Sequence, residues 1–89
     1  MIVIPGTSFY DDFERIRDKK IIRRAMSVIE KLEVANSLRE ISNIKSMQGH
    51  SGFYRIRFGD FRIGFRLVDE TTIKLLAIEH RSVFYRCFP

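Results

Sequence analysis

Four arginines recur within one short stretch, Arg55, Arg57, Arg62 and Arg66, and a second cluster, His80, Arg81 and Tyr85, follows before the chain ends. A guanidinium is planar, permanently charged and matches phosphate oxygens two at a time. A histidine titrates near neutral pH, an arginine stabilises charge developing on a phosphorane, and a phenol moves a proton or stacks on a base. These are the group types needed for metal-free cleavage of RNA, in which a 2′-hydroxyl attacks its own phosphate. Each residue of the second cluster also has a plainer reading: a histidine beside an arginine often serves packing, and a tyrosine near a C-terminus often anchors it. Other chemistries find little support. No Cys/His cluster has metal-ligand spacing, and His50 stands alone in a Gly/Ser loop. No glycine-rich phosphate loop opens a helix, and Cys87 has no credible nucleophile setting beyond nearby Arg86. Neither a metal nor a cofactor is expected.

The arginines must be aimed by a hairpin. Gly59-Asp60 suits a two-residue type II′ turn, with glycine at its first central position. That register sets Phe58 opposite Phe61, Arg57 opposite Arg62, Ile56 opposite Ile63, Arg55 opposite Gly64, Tyr54 opposite Phe65 and Phe53 opposite Arg66. Strand side chains alternate between faces. Tyr54, Ile56, Phe58, Phe61, Ile63 and Phe65 therefore share the core face, while Arg55, Arg57, Arg62 and Arg66 share the other, with a gap at Gly64. Like charges set opposite one another cost about 0.2–1 kcal/mol per pair. Four arginines and no acid on one inferred face argue for a polyanionic ligand, most simply RNA; arginines splayed into screening solvent are the alternative.

Around the hairpin, Ile2-Val3-Ile4 ended by Pro5-Gly6 reads as a first strand. Phe9, Phe13 and Ile16 recur at helical spacing, which predicts a helix over 8–17, with Ser8 and Asp11 a weak capping box. Asp18 caps a second helix over 19–35, whose stripe is Ile22, Ala25, Met26, Ile29 and Leu32. The segment 36–52 is polar and punctuated, a connection with one helical turn near Leu38. Strands are predicted over 53–59, 60–68 and 72–80, and 81–89 forms a short tail. If the last strand lies beside 60–68, its end brings His80, Arg81 and Tyr85 toward the basic face. The expected architecture is α+β in the order β-α-α-β-β-β, an N-terminal strand and a helical hairpin packed on an antiparallel sheet. All 89 residues form one domain.

The net charge of +5 favours an acidic partner: nucleic acid, anionic membrane or acidic protein. No apolar run approaches the roughly 18–20 residues that cross a bilayer, and neither helix has the apolar face and basic flanks of a membrane-surface helix. The apolar start of the chain lacks a basic lead and does not read as a signal peptide. A lone cysteine, Cys87, suits a reducing cytoplasm.

The run Phe53-Tyr54-Arg55-Ile56-Arg57-Phe58-Gly59-Asp60-Phe61-Arg62-Ile63-Gly64-Phe65-Arg66, followed by His80-Arg81 and Phe84-Tyr85-Arg86, resembles the RelE/ParE toxin superfamily of bacterial and archaeal toxin–antitoxin systems. Length and element order agree, so the likeness covers nearly the whole chain. The resemblance implies a RelE-like fold and a ribosome-dependent endoribonuclease that cuts mRNA in the A site. It further implies a cognate antitoxin that blocks the basic face and sets the oligomeric state. Family roles fall on Arg55 and Arg57 as basic strand residues, Arg62 as a phosphate contact, Arg81 as transition-state stabiliser or acid, and Tyr85 in stacking or proton transfer. His80 stands where some RelE-like members have a histidine. One departure matters: some members carry lysine where this chain has Arg55 and Arg57. Arginine is effectively never a neutral base, which leaves Tyr85 or His80 to move the proton, or positioning and electrostatics to do without. The same fold also serves ParE-like inhibitors of DNA gyrase that cut nothing, and this is the alternative function.

Overall fold

Burial sorts the hairpin's residues by face. In the computed structural model, which describes residues 1–89, Ile56, Phe58, Ile63 and Phe65 are buried and Tyr54 and Phe61 half-buried, while Arg57 and Arg66 stand exposed. Strand β3 (Phe53–Phe58) and strand β4 (Phe61–Asp69) pair antiparallel, with Arg57 opposite Arg62 and Arg55 opposite Gly64. The predicted register holds at every pair. Gly59 has φ 57° and Asp60 has no positive φ, as a type II′ turn requires.

Three further strands complete the sheet, in the order β1-β5-β4-β3-β2. Strand β5 (Thr72–His80) lies antiparallel to β4, joined by a turn in which Asp69 Oδ1 accepts the Thr71 N–H at 2.9 Å. Strand β1 (Ile2–Pro5) joins β5 in parallel, so the sheet is mixed rather than wholly antiparallel. Strand β2 (Ile44–Ser46) pairs with β3 at the opposite edge. It was expected to be part of a connection; three residues are too few for a period of two to show, and only the neighbouring strand makes them one.

Helix α1 (Thr7–Glu14) and helix α2 (Lys19–Val34) pack on the face carrying Ile63 and Phe65. The first is shorter than expected and opens at Gly6 with no side-chain cap, so the Ser8–Asp11 box does not form. Asp18 does cap α2, accepting the Lys20 N–H at 2.8 Å. Ala25 and Leu32 are buried there, but Met26 is 47% exposed, while Ile21 and Val28 pack on the core. Ala25, Ile29 and Leu32 face the core as expected, and the stripe departs from expectation in taking Ile21 and Val28 in place of Ile22 and Met26. A turn of 3-10 helix at Leu38–Glu40 matches the single helical turn anticipated near Leu38.

The tail is the larger correction. Residues Arg81–Cys87 form helix α3, which folds back across the sheet face opposite α1 and α2. Phe84 and Phe88, one helical turn apart, pack with Ala77, and Met47, Phe53 and Leu76 close around them. Phe88 lies flat on Gly64: a Cβ built there would meet three ring carbons at 2.8 Å. The gap opposite Arg55 is therefore a seat for an aromatic ring.

Candidate nucleic-acid interface

The docking of α3 divides the arginine face. Arg55, Arg57 and Arg62 lie toward the hairpin tip. Arg66 lies past Phe88, its guanidinium 5.9 Å from the Phe53 ring centre, and about 13 Å along β4 from Arg62 at the usual rise per residue. Of the four strand arginines the fold brings three together and sets Arg66 apart.

Arg57 and Arg62 are cross-strand neighbours of like charge, and backbone and amide oxygens draw their guanidinium groups apart. Arg62 Nη1 donates to the carbonyls of Gly59 at 3.1 Å and Phe61 at 3.0 Å, stapling the hairpin turn. Its Nε is buried with no partner. Arg57 Nη2 reaches Asn43 Oδ1 at 3.5 Å, and Arg55 Nη1 donates to the Asn43 carbonyl at 3.3 Å. Glu79 stands opposite Arg62 in register, yet forms no ion pair with it; its carboxylate reaches Arg15, the residue that follows α1, at 3.9 Å. No acid neutralises the three arginines.

Helix α3 delivers Tyr85 to this face. Phe84, wholly buried, sets the helix's rotation, and the next residue, 53% exposed, projects the other way. The Phe84 and Tyr85 rings are edge to face, 5.1 Å apart. The Tyr85 hydroxyl sits beside Arg62 and Arg55. Partial burial is the largest single influence on it and acts to raise its pKa. The hydrogen-bonding reach and positive charge of the two guanidinium groups together outweigh that and hold the phenol below its ordinary value of 10.0.

Arg81 opens α3 at the hairpin tip. Its backbone N–H donates to the Asp60 carbonyl at 2.7 Å, and its Nε lies 3.7 Å from Asp60 Oδ1. Both side chains are well exposed, so the pair is weak and the guanidinium is free to exchange its partner. Arg81, Arg62 and Arg57 also line a groove of about 880 Å³ that continues past Arg24 and Lys31 of α2.

His80 is placed differently. It is the N-cap of α3, its Nδ1 accepting the Ser82 N–H at 3.1 Å and lying 2.8 Å from Ser82 Oγ. Its ring meets Phe61 edge-on at 5.6 Å, on the side of the sheet that faces α1 and α2. Of the second cluster, then, Arg81 and Tyr85 reach the basic face and His80 does not. Asn43 and Phe88 contribute to this face without having stood out in the sequence, and Asp60, legible there only as a turn residue, also pairs with Arg81. The four-residue spacing of Phe84 and Phe88 was the available signal for α3, in a segment too short for periodicity to be decisive.

Relatives share this fold. Residues 5–84 match the family described as ParE toxin of type II toxin–antitoxin system, parDE. Over its whole length, and that of the relative, the chain is 33% identical to Toxin RelE3 of Methanocaldococcus jannaschii. It superposes on the RelB–RelE antitoxin–toxin complex from Methanococcus jannaschii with a TM-score of 0.80 at 31% identity, covering 97% of this chain and 99% of that one. The archaeal RelE–RelB complex from Pyrococcus horikoshii shares the fold, with a TM-score of 0.68 at 24% identity over 90% of this chain and 93% of that one. A family match across most of the chain and full-length identity to a RelE toxin agree with the fold: the chain belongs to the RelE/ParE superfamily of type II toxin–antitoxin toxins.

Proposed function

We propose that this toxin is a ribosome-dependent endoribonuclease that cuts mRNA in the A site and thereby stops translation. The observation that carries the reading is the placement of Tyr85 beside Arg62 and Arg55 on a face whose three strand arginines have no neutralising acid. In the reaction the 2′-oxygen bonds to phosphorus as its proton leaves, and the P–O5′ bond breaks as O5′ takes up a proton. The products are a 2′,3′-cyclic phosphate and a 5′-hydroxyl, with no water consumed. Arg55, Arg57 and Arg62 hold the phosphate through their guanidinium groups. Arg81, weakly tied to Asp60, turns onto the charge that develops in the transition state. Tyr85 moves the proton, because an arginine cannot be the base and the Nδ1 of His80 is engaged in capping a helix.

The partner is a cognate antitoxin, as in the RelB–RelE complexes this fold resembles, and its expected chemistry is an acidic or amphipathic segment that orders on binding. Lysine and arginine along the groove beside α2 suit such a segment. The setting is cytoplasmic, where ribosomes and mRNA are.

Expression of the toxin without its antitoxin, with the 5′ ends of translated messages mapped, tests the function. Cuts in phase with codons on ribosome-bound mRNA, bearing 5′-hydroxyl ends, are expected. Intact messages accompanied by supercoiling defects or DNA breaks would instead mark a gyrase inhibitor. Full-length identity to a RelE toxin weighs against that second outcome.

A further inference from the structure

Three guanidinium groups gathered without a counter-charge need something to hold their directions. Arg55 and Arg57 leave β3 on the same side, about 7 Å apart along the strand, and one residue touches both. Asn43 is the single non-glycine residue with positive φ, at 61°. Its carbonyl receives two hydrogen bonds, from the Arg57 backbone N–H at 3.1 Å and from Arg55 Nη1 at 3.3 Å. Its Oδ1 lies 3.5 Å from Arg57 Nη2.

The backbone conformation matters more than the amide. Asn43 lies where β2 would extend by one residue, opposite Arg57, and its carbonyl still closes that rung of the ladder. The left-handed turn lets the same carbonyl also meet the Arg55 side chain. Asparagine tolerates this region; a β-branched residue there is strained.

We propose that Asn43 is a positioning residue: its left-handed backbone aims Arg55 at the Tyr85 hydroxyl, its amide steadies Arg57, and the loop before β2 thereby sets the geometry of the phosphate-binding face. As far as it concerns cleavage, this rests on the nuclease reading above. Three variants separate the parts. Asn43→Asp keeps both the backbone tolerance and a side-chain acceptor. Asn43→Gly keeps the backbone and loses the acceptor. Asn43→Val disfavours the backbone and swings the carbonyl away, with Asn43→Ala as a milder substitute should the valine variant not fold.

Two readouts are taken on the purified, folded toxin. One is cleavage on programmed ribosomes, resolved into kcat and KM. The other is titration of Tyr85, followed by NMR of its labelled ring carbon. The valine or alanine variant should lose kcat by about tenfold, the rate equivalent of the left-handed penalty for a non-glycine side chain. Its Tyr85 should titrate at higher pH than in the parent, since Arg55 no longer faces the phenol. The glycine variant should keep kcat and the Tyr85 titration near the parent and raise KM as Arg57 loses its amide partner. The aspartate variant should keep the backbone but raise KM further, its carboxylate pairing with Arg57. A folded valine or alanine variant with unchanged kcat and unchanged titration would overturn the proposal, as would a glycine variant as impaired as valine. If the parent toxin cuts no message, the nuclease reading falls by itself. The titration then decides on Asn43: moved upward in the valine variant, the positioning role stands; unmoved, it falls.

Discussion

At Tyr85, two effects of opposite sign meet. Partial burial alone would make the phenol harder to ionise; Arg62 and Arg55 reverse the result. If Tyr85 moves the proton, Tyr85→Phe should cut ribosome-dependent cleavage on the order of 10²–10⁴-fold while leaving RNA binding nearly intact. Single-turnover rates and filter binding check the two halves of that statement. Cleavage by the parent should rise with pH as the phenol ionises, and Arg62→Gln should push that rise to higher pH. Arg62→Ala and Arg81→Ala should both abolish toxicity in cells. The first also removes two hydrogen bonds from the hairpin turn, at a cost of up to about 3 kcal/mol each for a charged donor, so a melting curve should show a lowered but still cooperative transition. Retained toxicity in both variants would refute the site.

One level up, the candidate site depends on how the helix that carries Arg81 and Tyr85 is seated. Helix α3 stays on the sheet because Phe84 and Phe88 bury there, and Phe88 needs the bare backbone of Gly64. Gly64→Ala places a methyl group against the Phe88 ring and should cost about 1–3 kcal/mol as an overpacking change. It should also lower cleavage by more than the stability loss explains, because the helix that lifts its aromatic ring also moves Tyr85. Thermal melts set against single-turnover cleavage separate the two effects. The hairpin itself was legible from the sequence down to the last pair. Its alternation and its glycine turn are local rules that leave one register open. Helix α3 was not legible. Seven residues do not establish a period, and what stabilises them is a sheet face assembled from distant strands.

At the scale of the molecule, charge and protonation are distributed unevenly. Arg55, Arg57, Arg62 and Arg81 stand together, and Arg66 stands apart. Binding to single-stranded RNA should then fall with the logarithm of salt concentration at a slope of about −3, as for four neutralised phosphates. Arg66→Ala should leave that slope nearly unchanged, and titrations at several salt concentrations would show it. Away from the basic face, Glu79 meets α1 at the free edge of β5, where Asp12 Oδ2 accepts the Ile78 N–H at 3.1 Å. Burial first, then the Asp12 carboxyl, raise the pKa of Glu79 above its ordinary 4.5, against a smaller opposing pull from Arg15. The folded chain thus holds this proton more tightly than the unfolded one. Its contribution to stability is fully present below the unfolded value and is lost as pH rises through the folded one. Glu79→Gln should therefore flatten the stability profile between pH 4.5 and neutrality. Denaturant melts should find the variant more stable than the parent at pH 7 and the difference gone near pH 4. An undiminished advantage at low pH would remove Glu79 from the explanation.

The amino-acid sequence by itself determined which residues face the core and which face outward on the hairpin, because side-chain alternation and turn geometry act between near neighbours. It also determined the α+β class, the cap at Asp18 and the excess of positive charge. Only the tertiary structure decided which of those charges lie together. Phe88 closing on Gly64 separates Arg66 from the rest, the N-cap of α3 takes His80 out of the group, and the left-handed turn at Asn43 draws in Arg55 and Arg57. The first and last of these are contacts between segments well apart in the chain. The cap at His80, though local, opens a helix that only the packing of Phe84 and Phe88 on other strands holds in place.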